Sequence, residues 1–265
     1  MAIDETSCRR GHDYVTLVAD EAERRVVFVT EGKDAAGIQA FNAHLSAHGG
    51  KPEQIESACI DVSPAFIRGV TDHLPNARIT YDKFHVVAHA STAADVTRRR
   101  EQRLDPSLKG LRWVLLKDRS RLKPEQRADL DSLVAHYTTS RVARAWLYRE
   151  QLRDILLRKQ VNIVLTMLRQ WCTNVMRSKV EAMKQVAGLI RRHFEGIVAW
   201  THTRQTNASI EALNGLFQAA KRKARGYTRF KRMRTVLFLI AGELDFSSLN
   251  PHLAPGSRAL SPKAA

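Results

Sequence analysis

The chain has 265 residues, enough for one large or two modest domains, and 44% hydrophobic with 26% charged residues is an ordinary globular composition. Its 43 Lys and Arg against 27 Asp and Glu leave a charge of +16 and an isoelectric point near 10.3, which favours nucleic acid or another anionic surface as partner. There is no apolar run long enough to cross a membrane, no signal peptide before Asp4 and Glu5, and too few cysteines (Cys8, Cys59, Cys172) for a disulfide framework or zinc site, so a cytoplasmic, reduced chain is expected.

Ala2 to Thr6 reads as a strand. The β-branched runs Tyr14–Ala19 and Arg25–Val29, split by the charged turn Asp20-Glu21-Ala22-Glu23, read as a hairpin. The period then changes: Ala36, Ala40, Phe41, Ala43 and Leu45 fall near helical spacing, and Gly49-Gly50 ends that helix. Ile55 to Ile60 is a fourth strand with Asp61 at its C-terminal end. Ser63-Pro64 opens a second helix with Ser as cap and Pro in the first turn, burying Phe66, Ile67 and Val70. Pro75-Asn76 turns the chain into a fifth strand, Arg78–Tyr81. The order β-β-β-α-β-α-β predicts a mixed α/β sheet with helices against it.

From about Val86 to Ala199 strand signals stop. Tyr148, Leu152, Ile155 and Leu156, then Val161, Val164, Leu165, Leu168 and Cys172, repeat with helical period, while Arg98-Arg99-Arg100, Arg119, Arg121 and Lys123 cover other faces. The expected division is a first core part over 1–85, a helical insertion over 86–199, C-terminal core helices with a basic segment over 200–246, and a disordered Ser-, Pro- and Ala-rich tail over 247–265.

Three carboxylates stand at places that otherwise read as core: Asp4, Asp61 and Glu211. An Asp at a strand end is most often a turn or cap residue, and a helical Glu most often a solvated one. The set is more specific. Two Asp on strands that can lie side by side, closed by a Glu from a distant helix, suit two divalent cations about 3.5–4 Å apart in an in-line displacement at phosphorus. Magnesium takes hard oxygen ligands of this type. Around Glu211, Leu213, Leu216, Phe217 and Ala220 form an apolar stripe, and Glu211, Asn214, Gln218 and Arg222 a polar one that places Asn214 one turn from Glu211, able to address the metal or a phosphate.

Asp82-Lys83-Phe84-His85 follows the fifth strand. Asp82 and His85 are accessory candidates, and Asp82 also rivals Asp61 for the second carboxylate; the alternative is that His85 caps or packs under the helical segment. From Lys221 to Arg234, eight of fourteen residues are basic, with Tyr227 and Phe230 interleaved. Lys221, Arg222, Lys223, Arg225, Arg229, Lys231 and Arg232 are the expected phosphate contacts, with the aromatics available to stack on unpaired bases.

These residues resemble the ISL-three family of bacterial insertion-sequence transposases. The resemblance runs through Asp61-Val62-Ser63-Pro64-Ala65-Phe66, Leu74-Pro75-Asn76-Ala77 and Tyr81-Asp82-Lys83-Phe84-His85-Val86, then Arg112-Trp113-Val114-Leu115-Leu116-Lys117 in the helical part. It continues through Asn207-Ala208-Ser209-Ile210-Glu211-Ala212-Leu213-Asn214 and Gln218 to Tyr227, covering about Ala2 to Leu244. It implies a ribonuclease-H-like fold interrupted by an all-helical insertion before the helix carrying the Glu. It also implies cleavage and strand transfer of DNA with Mg²⁺ (or Mn²⁺), two ions per site, and Asp4, Asp61 and Glu211 as the catalytic and metal-binding triad. The implied partners are double-stranded DNA, as transposon ends and target, and further copies of the chain in a homo-oligomer, with no membrane or small-molecule substrate. The implied location is the nucleoid.

The sequence departs from the family's pattern at its start, three residues before Asp4, where such transposases carry a zinc-binding module and a helix-turn-helix. Asn207-Ala208 replaces the family's usual Asn-Gly before the Glu. A first strand lacking its beginning is expected to fray and loosen Asp4. The alternative reading is therefore a truncated remnant that binds DNA, or regulates a full-length transposase, without catalysis. A general nuclease of the same fold fits less well, given the long insertion and the Asp-x-x-His block.

Overall fold

A computed structural model describes residues 1–8, 13–136, 138–205, 207–227 and 229–244; the tail expected over 247–265 lies outside the described residues. Strands β1 (Ala2–Ser7), β2 (Tyr14–Asp20), β3 (Arg25–Glu31), β4 (Ser57–Ile60) and β5 (Arg78–Tyr81) form one sheet in the order β3-β2-β1-β4-β5. The first three run antiparallel, while β1–β4 and β4–β5 are parallel. The crossovers that parallel pairing requires are helices α1 (Ala35–Ala47) and α2 (Pro64–His73). This is the ribonuclease-H-like mixed sheet the sequence predicts.

Beyond β5 come α3 (Lys83–Glu101), α4 (Arg112–Leu116), α5 (Pro124–Ala135), α6 (Arg141–Leu157), α7 (Val161–Met176), α8 (Glu181–Arg192) and α9 (Phe194–Thr203). Helices α10 (Ala208–Lys223) and α11 (Phe230–Ala241) return to the sheet. The expected boundaries after 85 and 199 fall inside α3 and α9. The helical region also shares a core with one face of the sheet: Ile3, Val18, Ala58 and Ile60 belong to the same buried cluster as Ile38, Phe66, Val86, Leu152, Leu168 and Ile190. The opposite face, Ala2, Val15, Leu17 and Ala19, packs against Ile210, Phe217, Met233 and Leu237 of α10 and α11. Covering both faces explains why β2 reads as a mostly apolar run, Val15 to Ala19, and not as an alternating one.

Within the helical region, buried Arg149 spreads its guanidinium over the carbonyls of Leu115 (3.1 Å) and Leu116 (2.9 Å), Ser91 Oγ (3.0 Å) and the Glu150 carboxylate (2.7 Å), joining α3, α4 and α6. A planar fork of five donors suits that task; a lysine would leave carbonyls unmatched.

Several local expectations need correcting. The buried face of α1 is Gly37, Ile38 and Phe41, with Ala36, Ala40 and Ala43 exposed; alanine tolerates either face and gives a weak phase signal. Ser63 occupies the cap position of α2, but its side chain makes no capping bond. The fourth strand begins at Ser57, because Pro52–Gln54 forms a short 3-10 turn first. Fraying of the first strand is not seen: β1 lies between β2 and β4, Ala2 and Ile3 are fully buried, and the Met1 ammonium donates to the Ser57 carbonyl at 2.9 Å.

Candidate active site

Parallel pairing of Ala2 with Cys59 brings β1 and β4 into register, so Asp4, inside β1, and Asp61, just past the end of β4, lie level, each two residues further on. Successive side chains of a strand alternate faces. Ile3 therefore enters the core under α1 and α2, while Ala2, Asp4 and Thr6 face α10.

Helix α10 crosses that face with its polar stripe against β1. Asn214 Nδ2 donates to Asp4 Oδ2 at 2.6 Å, Gln218 Nε2 to Thr6 Oγ1 at 2.7 Å and to the Ser7 carbonyl at 3.0 Å, and Lys221 Nζ to the same carbonyl at 2.6 Å. Four side-chain bonds along one strand fix the rotation of the helix and with it the position of Glu211. The apolar stripe is Ile210, Leu213 and Phe217; Leu216, expected in it, is exposed.

His85, on the first turn of α3, stands between two carboxylates. Its Nδ1 is 2.9 Å from Asp61 Oδ1, and its Nε2 is 3.5 Å from Glu211 Oε1. The hydrogen bond to Asp61, then the fields of Asp61, Asp82 and Asp4, outweigh burial and raise its pKa to about 9. An imidazolium thus supplies the positive charge between carboxylates from β4 and α10. The His85 ring thus lies between Asp61 and Glu211, on the first turn of α3.

Asp4 is buried, and desolvation raises its pKa to about 6; the backbone N–H of Glu5, at 2.8 Å, opposes the rise, Asp61 and Glu211 add to it and His85 reduces it. Asp82 is fully buried with both oxygens engaged: Oδ1 accepts from the N–H of Phe84, capping α3, and Oδ2 from the N–H of Asn207, each at 2.8 Å. Sequence reasoning did not assign a role to Asn207. Its signal was its place just ahead of the helix carrying Glu211, but no local pattern reveals a partner 125 residues away.

The donor chemistry suits a hard divalent cation. Ligand atoms of Asp82, His85 and Glu211 lie within 4.8 Å of one another, and Asp61 adjoins them through His85. His85 Nε2 is buried and too far from Glu211 for a good hydrogen bond, a polar demand the protein leaves unmet.

In the basic segment, Arg222, Lys223, Arg225, Arg229, Lys231 and Arg232 are exposed. Lys221 is instead turned back onto β1. The interleaved aromatics are not presented to bases: Tyr227 stacks on buried Phe217, with centroids 6.2 Å apart and planes 14° from parallel, and Phe230 packs in the same cluster. Among the described residues, no helix is long and apolar enough to cross a membrane.

Comparison with known proteins points the same way. A family model described as a transposase, of the ISL-three DDE type, matches residues 1–237. The transposase for insertion sequence element IS1001 of Bordetella parapertussis is 26% identical over 235 residues, which cover 86% of this chain and 57% of that protein. The transposase for insertion sequence element IS1557 of Mycobacterium tuberculosis is 29% identical over 255 residues, covering 86% and 56% respectively. The chain therefore spans a little over half the length of these curated relatives. With the family match extending over most of its length, and with the mixed sheet on which that match is threaded, this chain belongs to the ISL-three family of transposases.

Proposed function

We propose that the carboxylate cluster beside the end of β4, facing the middle of β1, is a metal-dependent phosphoryl-transfer site that cleaves DNA and joins the strands of an insertion sequence. The observation that carries this reading is His85, bracketed by Asp61 from a strand end and Glu211 from α10. One imidazolium cannot balance the charge of Asp4, Asp61, Asp82 and Glu211 together, and a divalent cation on hard oxygen donors would offset the remainder.

Asp4, Asp61 and Glu211 would hold two Mg²⁺ or Mn²⁺ ions, which when bound activate the attacking hydroxyl or water and stabilise the leaving oxygen. The other residues serve that set. Asn214 and the Glu5 backbone N–H orient Asp4, each bonding one of its two oxygens. Asp82 holds the first turn of α3 and the approach to α10 at a fixed distance, and so positions His85 and Glu211 relative to each other. The exposed Arg222, Lys223, Arg225, Arg229, Lys231 and Arg232 track the phosphates of duplex DNA. Assembly into a multimer on paired ends, and residence at the nucleoid, belong to the same proposal.

The test is nicking and strand transfer on DNA carrying the element's ends, with Mg²⁺ or Mn²⁺, comparing the wild type with Asp61→Asn and Glu211→Gln. Activity that both substitutions abolish is expected. Salt-sensitive DNA binding with no cleavage by any variant would leave a DNA-binding regulator in place of a nuclease.

A further inference from the structure

Directly beside this cluster, four residues form a group that no part of the proposed chemistry uses. Lys83 Nζ lies 4.2 Å from the ring centroid of Trp200 and 5.2 Å from that of Phe84, and the Arg204 guanidinium lies 4.6 Å from Trp200 on its own account. Two cations and two aromatic rings therefore meet where the start of α3 approaches the end of α9. Trp200 is buried and anchors the group, whereas Phe84 is 55% exposed. Core packing explains Trp200 and the stem of Lys83 but not an aromatic ring held in solvent.

The backbone that carries this ring is held in place. The backbone N–H of Phe84 is held by Asp82 Oδ1, the same carboxylate whose other oxygen takes the N–H of Asn207. Phe84 is also the chain neighbour of His85, whose imidazole stands between Asp61 and Glu211. Arg204 ends α9 in the left-handed region, φ 55°, a conformation unfavourable for a residue with a Cβ, and its Nη2 is tied to the Lys159 carbonyl at 3.1 Å. Its side chain is thereby fixed at this corner and exposed. An exposed aromatic ring with one cation beside it, Lys83, and a second, Arg204, at the same corner on Trp200, offers what a nucleotide needs once it has left the duplex: a face for the base and positive charge for its phosphates.

We propose that Phe84, with Lys83 and Arg204 on the Trp200 anchor, is a shelf that binds one unpaired nucleotide of the DNA strand next to the bond being cut. The proposal rests on the DNA reading of the carboxylate site and adds a recognition element to it. It also assigns base stacking to a residue outside the basic segment, where Tyr227 and Phe230 are already packed internally.

The experiment measures binding of a short single-stranded oligothymidylate carrying one 2-aminopurine, and of the duplex of the same sequence, by anisotropy and by quenching of the analogue. Phe84→Ala should weaken single-strand binding about tenfold, the scale of one base–aromatic stack, and abolish the quenching, with duplex affinity changed less than about twofold. Phe84→Leu keeps the apolar bulk without a π-face and should match Phe84→Ala; Phe84→Trp should bind as the wild type does. Equal single-strand binding by the wild type and Phe84→Ala would overturn the shelf while leaving the DNA reading intact. Failure of the wild type to bind either form would overturn both.

Discussion

Asn214 donates to Asp4 across 2.6 Å, and this bond joins the helix of one proposed ligand to the strand of another, 210 residues apart in the chain. The carboxylate it serves is buried. Asn214→Ala should therefore destabilise the fold by about 1–3 kcal/mol, the cost of leaving a buried acceptor short of a donor. Urea unfolding measures it, and a change near zero would show that Asp4 is satisfied without α10.

Two proton equilibria should appear in the stability of the protein in chelator. Asp4 has a folded-state pKa of about 6 against an ordinary 3.8, so its contribution is fully present below pH 3.8 and lost as pH rises through 6. His85, at about 9 against 6.5, contributes fully below pH 6.5 and loses that contribution as pH rises through 9. Denaturation midpoints across these windows should fall twice, with Asp4→Asn flattening the lower step and His85→Gln the upper. A wild-type curve level through both windows would contradict these environments.

Divalent cations should stabilise the folded chain. At about 100 times the dissociation constant, Mn²⁺ should add about 2.7 kcal/mol, read as a rise in melting temperature. Asp61→Asn and Glu211→Gln should each reduce the rise at the same concentration. A rise undiminished in both variants would move the ions elsewhere.

The basic segment should divide by function. Replacing Arg222 or Arg232 with Ala should lower the salt slope of DNA binding by about one each, with little effect on stability. Lys221→Ala should instead weaken the fold, because its ammonium is bonded to the Ser7 carbonyl. Salt titrations paired with thermal melts separate the two; a Lys221→Ala variant with wild-type stability would return that residue to the DNA-facing set.

Gly196 lets α9 approach β5 closely. A Cβ there would stand 2.5 Å from Tyr81 Cε2 and 3.2 Å from the Ile79 carbonyl, so Gly196→Ala should cost about 1–3 kcal/mol as overpacking. Unfolding of the variant in urea checks this, and full stability would mean that α9 can shift outward freely.

The sheet was legible because its strands carry β-branched runs and its turns carry charge or glycine; even the level placement of Asp4 and Asp61 follows from assuming that their strands pair. The helical segment was legible as helix but not as packing. The helical spacing that marks α1 does not tell its faces apart: of the residues that carry it Phe41 is buried, while Ala36, Ala40 and Ala43 lie outside. At the site, residue types and order pointed to Asp4, Asp61, Glu211, Asp82 and His85 as neighbours. The sequence carries no period or cap signal linking Asn207 to Asp82 or Gln218 to Thr6, because those contacts join elements far apart in the chain. Tyr227 and Phe230 misled for a related reason: an aromatic among arginines looks the same in sequence whether its ring faces solvent or the core.

The bond from Asn207 to Asp82 makes the helical region, in topological terms, a loop fastened where it departs. The cost of closing a flexible loop grows only with the logarithm of its length, about 0.6 kcal/mol for each doubling. Elements that pack apart from the sheet, such as α5 with Leu130 in its own small cluster, could be added or lost at small expense, while the clasp keeps the two ends in register. Variation among such proteins should then gather in the body of the loop and spare the clasp. The length of the appendage and the precision of the chemistry become separate quantities, free to evolve at different rates.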